Sequence, residues 1–485
     1  MKNELLIRKN KLLNSKNKNL FPNNFKSKDL KLLISKYKDK SKEILKIINL
    51  TVNVSGRIIY RRKIGKLTFI KIQDINESIQ IYISVSEINH KEYVYQDKLL
   101  DIGDIIWIKG ILFRTKTDEL SIKAKKIILL VKCLKSLPDK FHGLKKNEIL
   151  YKKRYLDLIS NKESRYIFLK RFEIINEIRI FLIKKKFIEV ETPILQSIPG
   201  GADARPFCTK INFSKKKLYL RISPELYLKK LIIGGFNKIF EISKNFRNEG
   251  ISKNHNPEFT MIELYMSYSK YDHLIKLIQD LFKYLCKKIF NKYTIKYKNN
   301  IIDFSKSFNK LDLIESICIF TNISKKNINN INTCIEFAKS IGLNICNDIN
   351  NISLGKIQLE IFKKCVENKL INPTFILNYP IEVSPLSRRK NSNKKIADRF
   401  ELFICGVEIG NGFSELNDSE DQLNRFKDQL KYKKNKKYDF NYIEALEYGL
   451  PPTAGLGLGI DRIIMLLTNS DDIKDVILFP TIHYK

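Results

Sequence analysis

The sequence predicts an α+β protein: a small N-terminal β-barrel followed by a larger domain of long helices and strands. Three observations predict it. Five short β-rich runs crowd into residues 49–135. Beyond residue 160, long segments carry apolar residues at helical spacing and then break into strands. The chain has 485 residues, 43% of them hydrophobic, which is too long for one core and apolar enough for two or three.

The elements follow in order. Residues 1–48 form a basic arm, helical in part. The runs TVNVSGRIIY, LTFIKIQD, SIQIYIS, DIIWIKGILFRT and ELSIKAKKIILL are separated by turn residues at Gly65, Asn76, Glu77, Gly103, Thr117 and Asp118. Five strands in so short a span suit an OB-fold, a frequent oligonucleotide binder, with an SH3-like barrel as the competing choice. Residues 136–165 read as a linker and docking helix, and residues 166–485 as one large domain. In it, RYIFLKRFEIINEIRIFLIKKKF is an amphipathic helix that runs into FIEVETP, a strand ended by Pro193. Residues from about 303 to 370 alternate helical patterns with Asn-rich turns, as an insertion would.

Composition sets limits. No apolar run reaches the length of a membrane span. The first residues lack the apolar core of a secretory signal, carry Glu4 early and are poor in Arg, so the expectation is a cytoplasmic protein. The eight cysteines, Cys133, Cys208, Cys286, Cys318, Cys334, Cys346, Cys365 and Cys405, form no CxxC pair, which gives a zinc site or disulfide framework little support. The formal net charge of +37 suits a polyanionic partner. Lys, Asn and Ile have A/T-rich codons, however, and mutational bias accounts for much of the same excess.

Four segments carry candidate chemistry. IFEISKNFRNEGISKNHNPEFTMIELYM (239–266) reads as strand, loop, strand. A period of two puts Phe259, Met261, Glu263 and Tyr265 on one face of the second strand, with Thr260, Ile262 and Leu264 on the other. An aromatic, acidic and phenolic face can hold a planar ring and a small cation; a solvated sheet face with an incidental Glu is the plainer alternative. In ADRFELFICGVEIGNGFSEL (397–416), a hairpin turn at Cys405 and Gly406 sets Phe403 opposite Glu408 and makes Glu401 and Glu408 diagonal neighbours. Two adjacent carboxylates ask for a cation, and nucleotide-bound Mg²⁺ is the natural one, against a plain surface pair. Simple alternation leaves Asn411 and Glu415 on the opposite face unless a bulge near Gly410 and Gly412 re-aims them. GLPPTAGLGLGIDRIIML (449–466) has glycines at 455, 457 and 459 and Arg462 at a strand-to-helix junction, without the spacing of a dinucleotide fingerprint or P-loop. In RISPELYLKKLIIGG (221–235), Ser223 caps a helix, Pro224 opens it and Glu225 lies in its first turn, where it either binds a ligand or complements the helix dipole.

Together these segments resemble the three signature motifs of class II aminoacyl-tRNA synthetases: FIEVETP the first, FRNEG…HNPEFT the second, GLGLGIDR the third. IPGGADARPF, RISPELYLKKLIIGGF, EVSPLSRR, EIGNGFSELND, LEYGLPPTAGLGLGIDRIIMLLTNS, and LPDKFHGL and RYLDLI in the linker, are similar to the bacterial-type lysyl-tRNA synthetase family over nearly the whole chain. The resemblance implies an antiparallel catalytic sheet flanked by helices, an OB-fold for the anticodon, a homodimer, and the substrates ATP, L-lysine and tRNA(Lys). It implies that Arg247 binds the α-phosphate and the lysine carboxylate, with Asn411 assisting, and that Arg247 and Arg462 stabilise the reacting charge. Glu225 and the backbone at Gly201 would meet the α-ammonium; Glu263, Tyr265 and Glu415 would receive the ε-ammonium. Phe259 and Arg462 would sandwich the adenine, Glu249 and His255 would complete the ATP site, and Glu401 and Glu408 would hold two or more Mg²⁺ ions with ATP. In the barrel, Phe69 would stack an anticodon base while Arg61, Gln80 and Glu119 read edges; Phe69 as a core residue is the alternative.

Competing readings make distinct demands. An aspartyl- or asparaginyl-tRNA synthetase needs a basic residue where Glu263 and Glu415 stand. A lysyltransferase acting on a translation factor normally lacks the β-rich N-terminal domain. A non-catalytic tRNA-binding protein would be expected to lose Arg247, Glu408 or Arg462, and all three are present.

Overall fold

A computed structural model describes residues 2–15, 19–75, 77–137, 147–344, 353–431 and 438–482. Asn76, most of LPDKFHGL, and Cys346 with the Asn-rich stretch around it lie outside the described residues. The chain forms two compact units, Met1–Asn161 and Lys162–Lys485. No described helix is long and apolar enough to cross a membrane. The described cysteines are all free.

In the first unit, β1 (Thr51–Ile64), β2 (Leu67–Gln73), β3 (Ser78–Ser84), β4 (Ile105–Arg114) and β5 (Leu120–Val131) close into a barrel in the order β1-β2-β3-β5-β4. The strands alternate over most of their length, broken by a few bulges: Val52, Val54, Ile58, Ile70, Ile72, Ile79, Ile81 and Ile108 are buried in the barrel core. Helix α1 (His90–Leu99) covers the end of the barrel between β3 and β4. Helices Lys2–Leu13, Leu30–Tyr37 and Lys42–Ile48 make up the basic arm.

The second unit is built on an eight-stranded sheet. Its strands are β6 (Ile188–Glu189), β7 (Lys238–Phe246), β8 (Glu258–Ser267), β9 (Asn309–Asp312), β10 (Thr374–Leu377), β11 (Arg399–Ile404), β12 (Val407–Ser414) and β13 (Thr453–Gly459). They lie in the order β9-β10-β11-β12-β13-β8-β7-β6. The six central strands pair antiparallel, as expected, but the outer pairs β9–β10 and β6–β7 are parallel, so the sheet is mixed. One face is dry. Ile262, Leu264, Leu402, Ile404, Leu456 and Leu458 pack there against α2 (Lys162–Lys184), α4 (Tyr271–Phe290) and α6 (Ile460–Thr468). Helices between Leu313 and Cys365 form a separate small core against Ile376 and Phe403. The opposite face carries the candidate site, flanked by α3 (Glu225–Ile233) and α5 (Phe440–Glu447).

One buried ion pair ties the back helices to this sheet. Arg171 of α2 donates to Asp461 of α6 at 2.6 Å and to the Val476 carbonyl at 2.9 Å. Asp461 in turn accepts the Thr260 backbone N–H of β8 at 2.7 Å. Breaking such a pair strands a buried charge, whereas an exposed pair such as Arg179–Glu189 contributes little. Arg171→Ala should therefore destabilise the second unit by about 3–5 kcal/mol in chemical denaturation, against less than about 1 kcal/mol for Arg179→Ala; equal losses would contradict this account.

Candidate active site

The three glycines of β13 make room for the site. Alternation turns Ala454, Leu456 and Leu458 into the core and leaves positions 455, 457 and 459 facing the cavity. A Cβ on Gly455 would lie 2.1 Å from Glu415 Oε1 and 2.4 Å from the Tyr265 ring. One on Gly457 would touch Met261 at 3.0 Å. Side chains from the neighbouring strands therefore fill the space above a bare strand, around a cavity of about 550 Å³.

The floor comes from β8. Phe259, Met261, Glu263 and Tyr265 face the cavity, while Ile262 and Leu264 enter the core. This face is not solvated: Glu263 is 4% and Tyr265 2% exposed. Glu263 accepts hydrogen bonds from Ser223 at 2.7 Å and Tyr265 at 3.0 Å. Burial, then the neighbouring Glu225, pushes the Glu263 carboxyl up to about 8. Ser223 also accepts the Glu225 backbone N–H at 3.0 Å, so its hydroxyl caps α3 and orients Glu263 together. The helix itself begins at Glu225, one residue later than expected, with Pro224 outside it. Gly201 has φ +83°, and a Cβ there would lie 2.8 Å from the Ser223 hydroxyl and 2.9 Å from the Glu225 Cβ. That close approach brings backbone beside Glu225.

Hairpin β11–β12 supplies the next wall. Cys405 (φ 52°) and Gly406 (φ 71°) form its two-residue turn, and Phe403 pairs with Glu408 as the spacing predicts. A bulge then intervenes, at Ile409 rather than at Gly410 or Gly412: Leu402 pairs with Gly410 and Glu401 with Asn411. The extra residue brings Asn411 to the face of Glu401. Arg399 ties the two together, donating to Asn411 at 3.0 Å and to Glu401 at 2.5 Å. Glu401 also accepts from Tyr379 at 2.7 Å. Burial raises the Glu401 carboxyl, with Glu408 adding to the effect.

A third carboxyl, Glu367, is raised to about 7 by burial and then by Glu408 and Glu401. Closely set carboxylates are hard oxygen donors and fit a divalent cation such as Mg²⁺. Among the described residues, no three His, Cys, Asp or Glu side chains form a group able to hold a metal by themselves. An ion here would therefore share Glu401 and Glu408 with ligand oxygens.

Positive charge stands across the cavity. Arg247, on the loop after β7, lies 5.0 Å from the centre of the Phe259 ring. Its Nε is buried without a hydrogen-bond partner, and burial lowers its pKa. Arg462, in the first turn of α6, donates to the Glu408 carbonyl at 2.6 Å and meets His255 Nε2 at 3.1 Å. His255, on the exposed rim, contacts Ser252 through Nδ1 at 2.8 Å; partial burial, then Arg462, lowers its imidazole. Glu249 lines the same rim. Glu415 is 2% exposed, and neither of its oxygens accepts a hydrogen bond. Lys229 Nζ forms an ion pair with one of them, Oε2, at 2.5 Å. Burial raises the Glu415 carboxyl well above its ordinary range.

The structure thus brings Gly201, Glu225, Arg247, Glu249, His255, Phe259, Glu263, Tyr265, Glu408, Asn411 and Arg462 to one cavity, with Glu415 against Gly455 on its wall and Glu401 paired to Asn411. Residues the sequence did not single out are Lys229, Glu367, Tyr379 and Arg399; Ser223 is legible there only as a helix cap, without its hydrogen bond to Glu263. Arg399 was visible only as an ordinary strand residue beside the acidic pair.

On the barrel, Phe69 is half-buried and lies outside the core, 5.6 Å from the Tyr82 ring, which is 5.7 Å from Phe113. Lys71, across from Gln80, lies 3.9 Å from Glu119, and Gln80 donates to Ser121 at 3.1 Å. Phe69, Gln80 and Glu119 thus share one surface. Arg61 does not join them. A bulge after Ile58 pairs it with the buried Ile70, and its guanidinium is bound to Asp97 and to the Leu100 carbonyl. Arg62 is the residue across from Phe69.

Comparison with known proteins agrees with this geometry. Residues 146–483 match the family of class II tRNA synthetases (D, K and N), and residues 52–130 match the OB-fold nucleic acid binding domain. The chain is 52% identical to the lysine--tRNA ligase of Wigglesworthia glossinidia brevipalpis over 99% of both chains. It is 52% identical to that of Buchnera aphidicola subsp. Schizaphis graminum over 99% of this chain and 96% of the relative. With the lysine--tRNA ligase of Yersinia pestis (strain Pestoides F) it shares 48% identity over 100% of this chain and 97% of the relative. The chain belongs to the class II tRNA synthetases, in their lysine--tRNA ligase branch.

Proposed function

We propose that the cavity activates L-lysine with ATP and that the barrel presents the anticodon of tRNA(Lys). One observation supports this most directly. The site holds two buried groups of opposite sign that the fold leaves incompletely satisfied: the Arg247 Nε, without a hydrogen-bond partner, and Glu415, against the cavity-lining Gly455, whose one cationic partner is Lys229. Unmet groups of opposite sign ask for a ligand bearing both charges, and Glu225 and Glu263 ask for more positive than negative charge. Lysine, with two ammonium groups and one carboxylate, answers that demand.

In this reading Glu225 and the Gly201 backbone hold the α-ammonium, and Glu263, Tyr265 and Glu415 hold the ε-ammonium. Arg247, with Asn411, holds the carboxylate and aligns it with the α-phosphorus of ATP. Phe259 stacks the adenine from below with Arg462 on the other side, and Glu249 and His255 border the phosphates. Glu401 and Glu408 would hold Mg²⁺ together with phosphate oxygens, where it would neutralise charge on the triphosphate. The carboxylate oxygen attacks the α-phosphorus in line; the bond to the β-phosphate oxygen breaks, and pyrophosphate leaves. The 3′-terminal ribose hydroxyl of the tRNA then attacks the adenylate carbonyl and AMP leaves. No enzyme nucleophile is required: the chain positions the reactants and stabilises charge through Arg247 and Arg462.

Selectivity follows from burial. A neutral side chain would leave Glu415 and Glu263 without their cation, a penalty of about 3–5 kcal/mol. On the barrel, Phe69, flanked by Tyr82, offers an aromatic platform for an unstacked base, with Gln80 and Glu119 beside it to read edges. Exposed apolar residues of the first motif region, Phe172, Ile188, Ile194 and Leu195, support a homodimer built through that surface.

The direct test is ATP–pyrophosphate exchange with each of the twenty amino acids. Exchange with lysine alone is expected; exchange with aspartate or asparagine, or with none, would overturn the reading. Glu415→Gln should raise the KM for lysine by about 100-fold, the equivalent of roughly 3 kcal/mol, and leave the KM for ATP nearly unchanged. Equal losses for both substrates would remove Glu415 from its role. Phe69→Ala should impair tRNA charging and spare exchange; loss of exchange or of folding would mark it instead as a structural residue.

A further inference from the structure

Resting on the reading of lysine as substrate, we infer that Lys229 is a positioning residue of the amino-acid pocket. Its buried ammonium is a resident counter-cation that pairs with Glu225 and Glu415 and aims them at the substrate's two ammonium groups.

The geometry carries this. Lys229 is 0% exposed, a rare state for a lysine. Its Nζ donates to Glu225 Oε1 at 2.6 Å, one helical turn back on α3, and lies 2.5 Å from Glu415 Oε2. It also sits 5.4 Å from the Phe413 ring and 5.9 Å from the Tyr442 ring, both on elements packed against α3. The adjacent Lys230 behaves ordinarily: its side chain is 27% exposed and faces Asp439 at 3.5 Å. Burial at 229 is thus particular to the pocket.

Charge counting gives the burial a purpose. Glu225, Glu263 and Glu415 bring three carboxylates into the same dry space. Lysine brings two ammonium groups, and its own carboxylate goes to Arg247. Lys229 is the third cation, without which one carboxylate would remain uncompensated even with substrate bound. The groups facing Lys229 are Glu225 from its own helix, Glu415 from the segment after β12 and the Tyr442 hydroxyl of α5; behind them Glu263 of β8 acts on Glu225 and Glu415. Burial alone would neutralise the amine, but Glu225 and Glu415 outweigh it and hold Lys229 protonated. Lys229 in return lowers the proton affinity of Glu415, opposing the effect of burial. Lys229 meets only the Oε2 of Glu415, so the Oε1 remains free to accept from the substrate.

The test replaces Lys229 by methionine, close in shape but without charge, and measures lysine-dependent ATP–pyrophosphate exchange from pH 7 to 9. Wild-type exchange with lysine is the control: its absence would sink the functional reading, separately from this inference. With the control intact, Lys229→Met should raise the KM for lysine by about tenfold or more at pH 7 while the KM for ATP moves less than about twofold. The defect should shrink as pH rises and Glu415 ionises unaided. An unchanged lysine KM, or a pH-independent loss shared equally by both substrates, would overturn the proposal. Should Lys229→Met fail to fold, the double variant Lys229→Met/Glu415→Gln decides, since it removes a charge of each sign. It is expected to melt near Glu415→Gln alone and to match that variant's lysine KM within about threefold. A double variant as unfolded as Lys229→Met, or one whose lysine KM lies well beyond threefold above that of Glu415→Gln, would overturn the proposal.

Discussion

Burying three carboxylates beneath one sheet, with a single internal ammonium among them, is the constraint on which the rest of the site depends. Glu225, Glu263 and Glu415 are each less than a tenth exposed. Charged groups so placed are costly unless compensated. The protein compensates part of that cost with Lys229 and with the hydroxyls of Ser223 and Tyr265, and leaves the remainder for a ligand. Recognition and stability are therefore coupled: the groups that select a dicationic amino acid are those the fold leaves incompletely satisfied.

The sheet makes this arrangement possible. A strand of alternating glycines places no side chain on the cavity face, so Glu415 and Tyr265 approach the β13 backbone from either side. The dry face of the same strand, Ala454, Leu456 and Leu458, locks into the helical layer. Asp461, in the first turn of α6, joins that layer to β8 through Arg171 and the Thr260 backbone, and the neighbouring Arg462 inherits its position from the same anchor. Rigid support of this kind suits a reaction that depends on positioning rather than on a protein nucleophile.

Much of the site was legible because strand periodicity is a strong signal. The alternation at Phe259–Tyr265, the turn at Cys405 and Gly406, the opposition of Phe403 and Glu408, and the strand-to-helix junction at Arg462 all appear in the structure where the spacing places them. Bulges were only partly legible: the glycines at 410 and 412 hinted at one that falls at Ile409, and nothing marked the one after Ile58. One extra residue at Ile409 brings Asn411 to the face of Glu401, against simple alternation. One extra residue after Ile58 sends Arg61 to Asp97 and sets Arg62 across from Phe69. A slip of one residue exchanges the two faces of a strand, and local sequence scarcely marks it. Lys229 was hidden for another reason. A Glu and a Lys four apart on a helix are usually a solvated pair, and only the packing of Glu415, Phe413 and Tyr442 around α3 reveals the difference.

The claim that buried acids read the substrate's charge is tested most directly by counting protons. Burial and the neighbouring Glu225 push the Glu263 carboxyl up to about 8, which favours its protonated form at pH 7. An arriving ammonium lowers that pKa, so binding must release protons, and affinity must rise with pH from 7 towards 8. Calorimetry of lysine binding at pH 7, in buffers of different ionisation enthalpy, measures this release. The account predicts net proton release with lysine and markedly less with norleucine, which has the same chain length without the ε-ammonium. Binding of lysine with no proton release, or equal release by both ligands, would contradict it.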